Sequence, residues 1–209
     1  MARLLIAYDS ADRHLGDYFL SCRHDICAHA EACNDFLIDE LDSEHDDFQL
    51  EQYISTYAEQ PFIFVAYAHG CSDAVLLSGT PLVHNRNTYF FGKSLFYTCA
   101  CDAGISLSEN LRAHNCYAFI GFTDKSNLQP RATDYVNVFM SCENYGLKLF
   151  MGGGVSIVES FEKMRTMYSD QAISLLSTNP VAASLLLANG NALYLDAQGQ
   201  EHLTIADFQ

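Results

Sequence analysis

Positive charge is scarce in this chain: 11 Lys and Arg stand against 26 Asp and Glu in 209 residues, a formal net charge of −15. That balance argues against a phosphate-binding surface, because a nucleic-acid backbone or an anionic membrane is held by neutralising its phosphates with cations. Neither is an expected partner. No apolar run reaches the roughly 20 residues that a membrane-spanning helix needs. The opening segment Met1-Ala2-Arg3-Leu4-Leu5-Ile6-Ala7-Tyr8 is too short for a secretion leader and reads as a first strand ending at Asp9. No Cys-x-x-Cys occurs among the eight cysteines. Without a leader they are expected to be reduced thiols in a cytoplasmic chain, most of them small core residues. No internal repeat, linker or low-complexity stretch divides the sequence, so residues 1–209 are expected to form a single domain.

Hydrophobic residues make up 49% of the chain and the mean hydropathy is +0.01, as expected of a globular fold with a sizeable core. Strand and helix patterns alternate. Residues 3–9 read as a strand. Leu15, Phe19, Cys22, Ile26 and Ala30 recur at helical steps across 14–32. Residues 35–47 are rich in acid and read as a solvated stretch, and 48–58 as a helix or a short strand and a helix. Strands are expected at 62–68, 94–100 and 116–121. Between the first two, Val75-Leu76-Leu77 and Thr88-Tyr89-Phe90-Phe91 suggest a small antiparallel excursion. Ser106-Leu107-Ser108-Glu109 has the pattern of a capping box opening a helix that ends near His114. A polar loop at 122–130 precedes a helix from Ala132 to Tyr145. Gly152-Gly153-Gly154 breaks the chain, and Ser156 caps a helix to Leu176. The tail at 184–195 reads as strand, Asn189-Gly190-Asn191 turn and strand. The alternation predicts an α/β sandwich with a mostly parallel sheet.

Two strand ends carry the chemistry. Phe62-Ile63-Phe64-Val65-Ala66-Tyr67-Ala68 runs into His69-Gly70, and Ser94-Leu95-Phe96-Tyr97-Thr98-Cys99-Ala100 runs into Cys101-Asp102-Ala103-Gly104. Neighbouring strands of an open parallel sheet present their carboxyl ends on one edge, where such folds carry their sites. His69 and Cys101 delivered there form a candidate dyad of base and nucleophile. The imidazole takes the thiol proton during attack and returns it to the leaving amine. The N–H groups of Gly70 and Cys101 are the expected oxyanion donors.

The motifs Ala68-His69-Gly70 and Ala100-Cys101-Asp102-Ala103-Gly104, in this order and strand context, resemble the caspase-like cysteine peptidases, and most closely their bacterial CHAT-domain branch. Leu107-Ser108-Glu109-Asn110-Leu111-Arg112 resembles the helix after the family's cysteine, and Tyr117-Ala118-Phe119-Ile120-Gly121-Phe122 its next core strand. Segments 136–140, 154–161 and 189–193 resemble its later elements, with Asn191 and Ala192 where the family's final turn carries Asp and Pro. Two features depart from the pattern: Cys101 follows His69 by only 32 positions, and an acid follows the thiol. The resemblance implies a caspase-like three-layer sandwich with a mostly parallel central sheet flanked by helices. It also implies a Cys–His endopeptidase that cuts a protein substrate at a few sites, needs no cofactor and answers to a regulatory protein partner. It further places the chain after strand 116–121, residues 122–127, along the specificity pocket, where Asp124 and the neighbouring Asp102 would favour a basic residue. The bland alternative for Asp124 is a turn cap beside Lys125.

Other clusters offer less. Cys22, His24, Cys27, His29 and Cys33 include metal-ligand spacings on one helix, but Cys22 lies on its apolar stripe. The triple glycine lacks the strand and Lys context of a phosphate loop, and the acidic stretch lacks the alternating ligands of a calcium loop. No metal is expected. The competing functional class is a catalytically silent caspase-like or flavodoxin-like interaction module; acyl transfer other than proteolysis by the same dyad also stays open.

Overall fold

A computed structural model describes residues 1–58, 60–128 and 135–209. Strand β1 (Ala2–Tyr8), helix α1 (Gly16–Cys33), β2 (Phe36–Leu41), α2 (Asp47–Ser55) and β3 (Phe62–Tyr67) open the chain. A small antiparallel sheet of β4 (His69–Cys71), β5 (Ala74–Leu77) and β6 (Thr80–His84) follows. Next come β7 (Ser94–Thr98), α3 (Leu107–Ala113), β8 (Ala118–Phe122), α4 (Val136–Met151), α5 (Ile157–Leu175), α6 (Pro180–Ala192) and β9 (Leu193–Asp196). The large sheet has the order β2-β1-β3-β7-β8-β9. Every pairing in it is parallel except β8 with β9. The protein is therefore an α/β fold with a mostly parallel central sheet flanked by helices.

Period-two alternation divides the core. Ile63, Val65 and Tyr67 of β3, with Leu95 and Tyr97 of β7, meet α1, α4, α5 and α6 on one face. Phe62, Phe64 and Ala66, with Phe96, meet α2, α3 and the small sheet on the other. These strands are apolar at successive positions because both of their faces are covered. Among the described residues, no helix is long and apolar enough to cross a membrane.

The structure changes four expectations. Residues 35–47 are not simply a solvated stretch: they contain β2, which pairs in parallel with β1. Its carboxylates are engaged, Asp39 with Arg3 and with the Tyr57 hydroxyl, and Glu40 with Arg23, so acids are accommodated on an edge strand. Residues 88–91 form a 3-10 turn, not a strand of the excursion. Ser106 stands before α3 but its hydroxyl makes no cap; the Ser72 carbonyl accepts the N–H groups of Ser106 and Leu107 instead. The tail is helical until β9. Asn179 caps α6 by accepting the Ala182 N–H, and Pro180 fits the first turn. Asn189-Gly190 is then not a turn: Gly190 lets α6 approach α5, where a Cβ would lie 3.0 Å from that of Tyr168. Ser156 does cap α5, accepting the Glu159 N–H. The expected start at Ala132 and the last two positions of the 122–130 loop lie outside the described residues; α4 runs on to Met151.

Candidate active site

The sheet order reverses direction between β1 and β3, the switch point at which open α/β sheets form a crevice beyond the carboxyl ends of their strands. Three strand exits meet there. The Asp9 N–H bonds to the Tyr67 carbonyl, and the Cys99 N–H to that of Ala66, holding the ends of β1, β3 and β7 level. His69 opens β4 directly after β3; Cys101 follows β7.

Gly70 sets how near the two approach. A Cβ at this position would stand 2.5 Å from the Ala100 Cβ and 2.9 Å from the Ala74 carbonyl oxygen. Only glycine allows His69-Gly70 to lie directly against Ala100-Cys101. The imidazole is 44% exposed, and its Nε2 lies 3.2 Å from Asp12 Oδ2. Phe19 of α1 meets the ring edge-on, with centroids 5.6 Å apart. Asp12 also accepts the N–H groups of His14 and Leu15 through Oδ1, which fixes the carboxylate at the entry to α1. Burial pulls its pKa upward, but the Leu15 and His14 amides and the His69 ring outweigh this and hold it below the ordinary value. Asp9, almost fully buried beside it, accepts the Ser43 hydroxyl and the Ser78 N–H.

Cys101 is half-buried. Its Sγ lies 4.0 Å from the Ser126 carbonyl oxygen, and no hydrogen bond joins it to His69. Burial raises the thiol pKa, the Ser126 backbone offsets part of that rise, and the Asp102 and Glu143 carboxylates add to it. Among the described residues no backbone carbonyl outside the regular helices and strands accepts the Cys101 N–H, which bears on its own thiol and helps to lower its pKa. Gly70 pairs opposite Val75 in the small sheet. Asp102 occupies the left-handed region, φ 59°, and its N–H donates to the Asp124 carbonyl. That bond lays residues 122–128 beside the thiol and sets Asp102 and Asp124 on one rim. The Asp124 carboxylate is exposed and accepts the Lys125 N–H at 2.7 Å, so it caps its own turn.

The structure thus gathers His69, Gly70, Cys101, Asp102 and Asp124 at one edge. Sequence reasoning missed Asp12 and Phe19. The usable signal for Asp12 was an acid just past the first strand exit, followed by a helix, in a fold where that exit borders the crevice. The helix cluster does not gather as a whole: Cys22 and Cys27 are buried in the core, while Cys33 Sγ lies 3.8 Å from His29 Nε2, which is itself 2.9 Å from the Lys148 carbonyl oxygen. Among the described residues no three metal-ligating side chains come together. No protein-family model matches the chain, and no curated protein matches it.

Proposed function

We propose that the protein is a caspase-like cysteine endopeptidase with His69 as base and acid and Cys101 as nucleophile. The observation that carries the reading is the Gly70–Ala100 contact, which sets the two strand exits side by side. With the Asp12 carboxylate taking Nε2–H, His69 keeps its Nδ1 lone pair for the thiol proton. The raised thiol pKa means that the proton leaves as attack begins, not in a preformed ion pair. Sγ bonds to the scissile carbonyl carbon, and the oxyanion is met by the Cys101 and Gly70 N–H groups. Collapse expels the amine with the proton from His69. A water, deprotonated by the same ring, then hydrolyses the thioester and restores the thiol.

The test is a proteome digested with wild type and with Cys101→Ala, with new amino termini mapped by mass spectrometry. A small set of cuts made only by the wild type is expected. The same cuts from Cys101→Ala, or none from either, would reject the assignment. For specificity, the acids on the rim favour Arg or Lys before the cut, through a charge-assisted bond worth about 1.5–3 kcal/mol. A positional-scanning peptide library should show that preference and show it weakened in Asp124→Asn. An unchanged profile in that variant would leave Asp124 as a turn cap alone.

One observation favours a second reading, the silent partner-binding module: the thiol leans towards Ser126 and is not hydrogen-bonded to the imidazole. A peptidyl chloromethyl ketone separates the two. The enzyme is labelled at one cysteine of eight and loses that label in Cys101→Ala, whereas the silent module shows no selective label.

A further inference from the structure

Helix α6 carries no charged side chain, yet it buries one strongly polar group, Asn189, at 0% exposure. A buried amide is costly unless its donors and acceptor are satisfied, and an aliphatic residue would suit this apolar helix. Asn189 spends its side chain on the main chain of a single residue. Its Oδ1 accepts the Asn127 N–H at 2.7 Å, and its Nδ2 donates to the Asn127 carbonyl at 3.0 Å. Nearby, the N–H and hydroxyl of Thr123 both donate to the Ala192 carbonyl at the end of the same helix. Helix α6 therefore holds the segment 123–127 at both ends.

The other side of this segment is the thiol. The peptide preceding Asn127 belongs to Ser126, whose carbonyl oxygen lies 4.0 Å from Cys101 Sγ. Two further backbone bonds, Asp102 N–H to Asp124 and Gly104 N–H to Phe122, tie the turn after the nucleophile to the same stretch. Asn127 itself donates through Nδ2 to the Lys125 carbonyl at 2.9 Å, so the two bonds from Asn189 hold a residue that in turn braces both peptides of Ser126.

We infer that Asn189 is a positioning residue for Cys101, fixing the Ser126 peptide against the thiol through its two bonds to Asn127. The inference rests on the reading of Cys101 as the nucleophile. It extends that reading by giving α6, remote from the dyad in sequence, control of the nucleophile's ionisation and of the wall beside it. Burial is the largest influence on the thiol and raises its pKa, the Asp102 and Glu143 carboxylates add to the rise, and a backbone hydrogen bond from Ser126 lowers it. That lowering belongs to the Ser126 N–H, since the Ser126 carbonyl accepts from the thiol and favours its protonated form. Cys99, two positions earlier on β7, is itself held protonated by burial. Loosening Ser126 removes the one lowering influence that comes from outside Cys101.

The experiment follows alkylation of Cys101 by iodoacetamide against pH in wild type, Asn189→Leu and Asn189→Ala, reading the Cys101 peptide by mass spectrometry. Amide hydrogen exchange at Asn127 is measured in parallel, and circular dichroism checks that each variant is folded. Asn189→Leu keeps the size, suits the apolar helix and adds no charge, so a moved midpoint reports the lost bonds to Asn127 and not a new carboxylate. The expected result is faster exchange at Asn127 and an alkylation midpoint moved upward by roughly half a unit or more. A midpoint equal to wild type, in a folded variant whose Asn127 amide has lost protection, would overturn the inference. Alkylation requires no peptide hydrolysis. A shifted midpoint in a protein that cuts nothing would therefore sink the peptidase reading and leave the clamp standing, and a cutting enzyme with an unmoved midpoint would do the reverse.

Discussion

Removing the imidazole is expected to cost peptide hydrolysis on the order of 10³-fold or more in His69→Ala, with the Cys101→Ala/His69→Ala pair no worse than Cys101→Ala alone, because groups that act as one unit lose their effect together. The fold should survive, since the His69 side chain is 44% exposed and lies outside the apolar core. Steady-state kcat/KM on a peptide identified from the cleavage map, alongside thermal melts of each variant, checks both statements. Asp12→Asn should produce a smaller loss. It keeps the side-chain oxygen that accepts the His14 and Leu15 N–H groups just ahead of α1, but its amide no longer offers His69 a carboxylate at Nε2. Losses that multiply in the double variant would mean that the two side chains work independently and that the dyad is wrongly drawn.

A second large effect is expected away from the edge. Glu143 of α4 is fully buried. Tyr168 donates to its Oε2, and its Oε1 has no partner among the described residues. Burial raises its pKa from an ordinary 4.5 to about 7, against the hydroxyls of Tyr168, Tyr97 and Tyr18, which pull it down. A carboxyl raised in the folded state contributes stability that is complete below the unfolded value and is lost as pH climbs through the folded one. Unfolding free energy should therefore fall between about pH 4.5 and pH 7 by about 3 kcal/mol and then level off. The surrounding Tyr18, Tyr97, Tyr168, Cys22, Cys99 and Cys142 are all raised by burial and stay protonated through this window. Glu143→Gln keeps the shape and cannot ionise, so it should abolish this part of the pH dependence. Urea titrations of both proteins at steps from pH 4 to pH 8 measure it. A Glu143→Gln curve that falls as steeply as the wild type would place the titrating group elsewhere.

What the sequence disclosed and what it hid follow a physical division. The strands ending at His69 and Cys101 were legible because a parallel strand covered on both faces must be apolar at successive positions, and such runs stop abruptly at a polar residue. The register between them was not legible; it depends on Gly70 lying against Ala100, a contact between residues 30 positions apart. Strand β2 was hidden because its acids look solvated in sequence, while in the fold Asp39 and Glu40 meet Arg3 and Arg23. Helix α6 was misread although Asn179-Pro180 signalled its start: Asn189-Gly190-Asn191 has turn composition, and only the close approach to Tyr168 explains its glycine inside a helix. Asp12 went unnoticed for a related reason. A lone acid past a strand is unremarkable until topology brings a histidine from 57 residues away to meet it.

The polar cluster around Glu143 also makes the chain its own optical probe. With no tryptophan, the ultraviolet emission of the protein comes from its 12 tyrosines. Tyr168 is buried with its hydroxyl on the Glu143 carboxylate, Tyr97 donates to the backbone carbonyl of the same residue, and Tyr18 and Tyr67 are buried beside them, Tyr67 donating to the adjacent Asn144. A carboxylate accepting from a phenol quenches its emission more than a carboxylic acid does. The state of a group that no solvent-borne dye can reach is thus reported by light from its own neighbours, in the unlabelled protein.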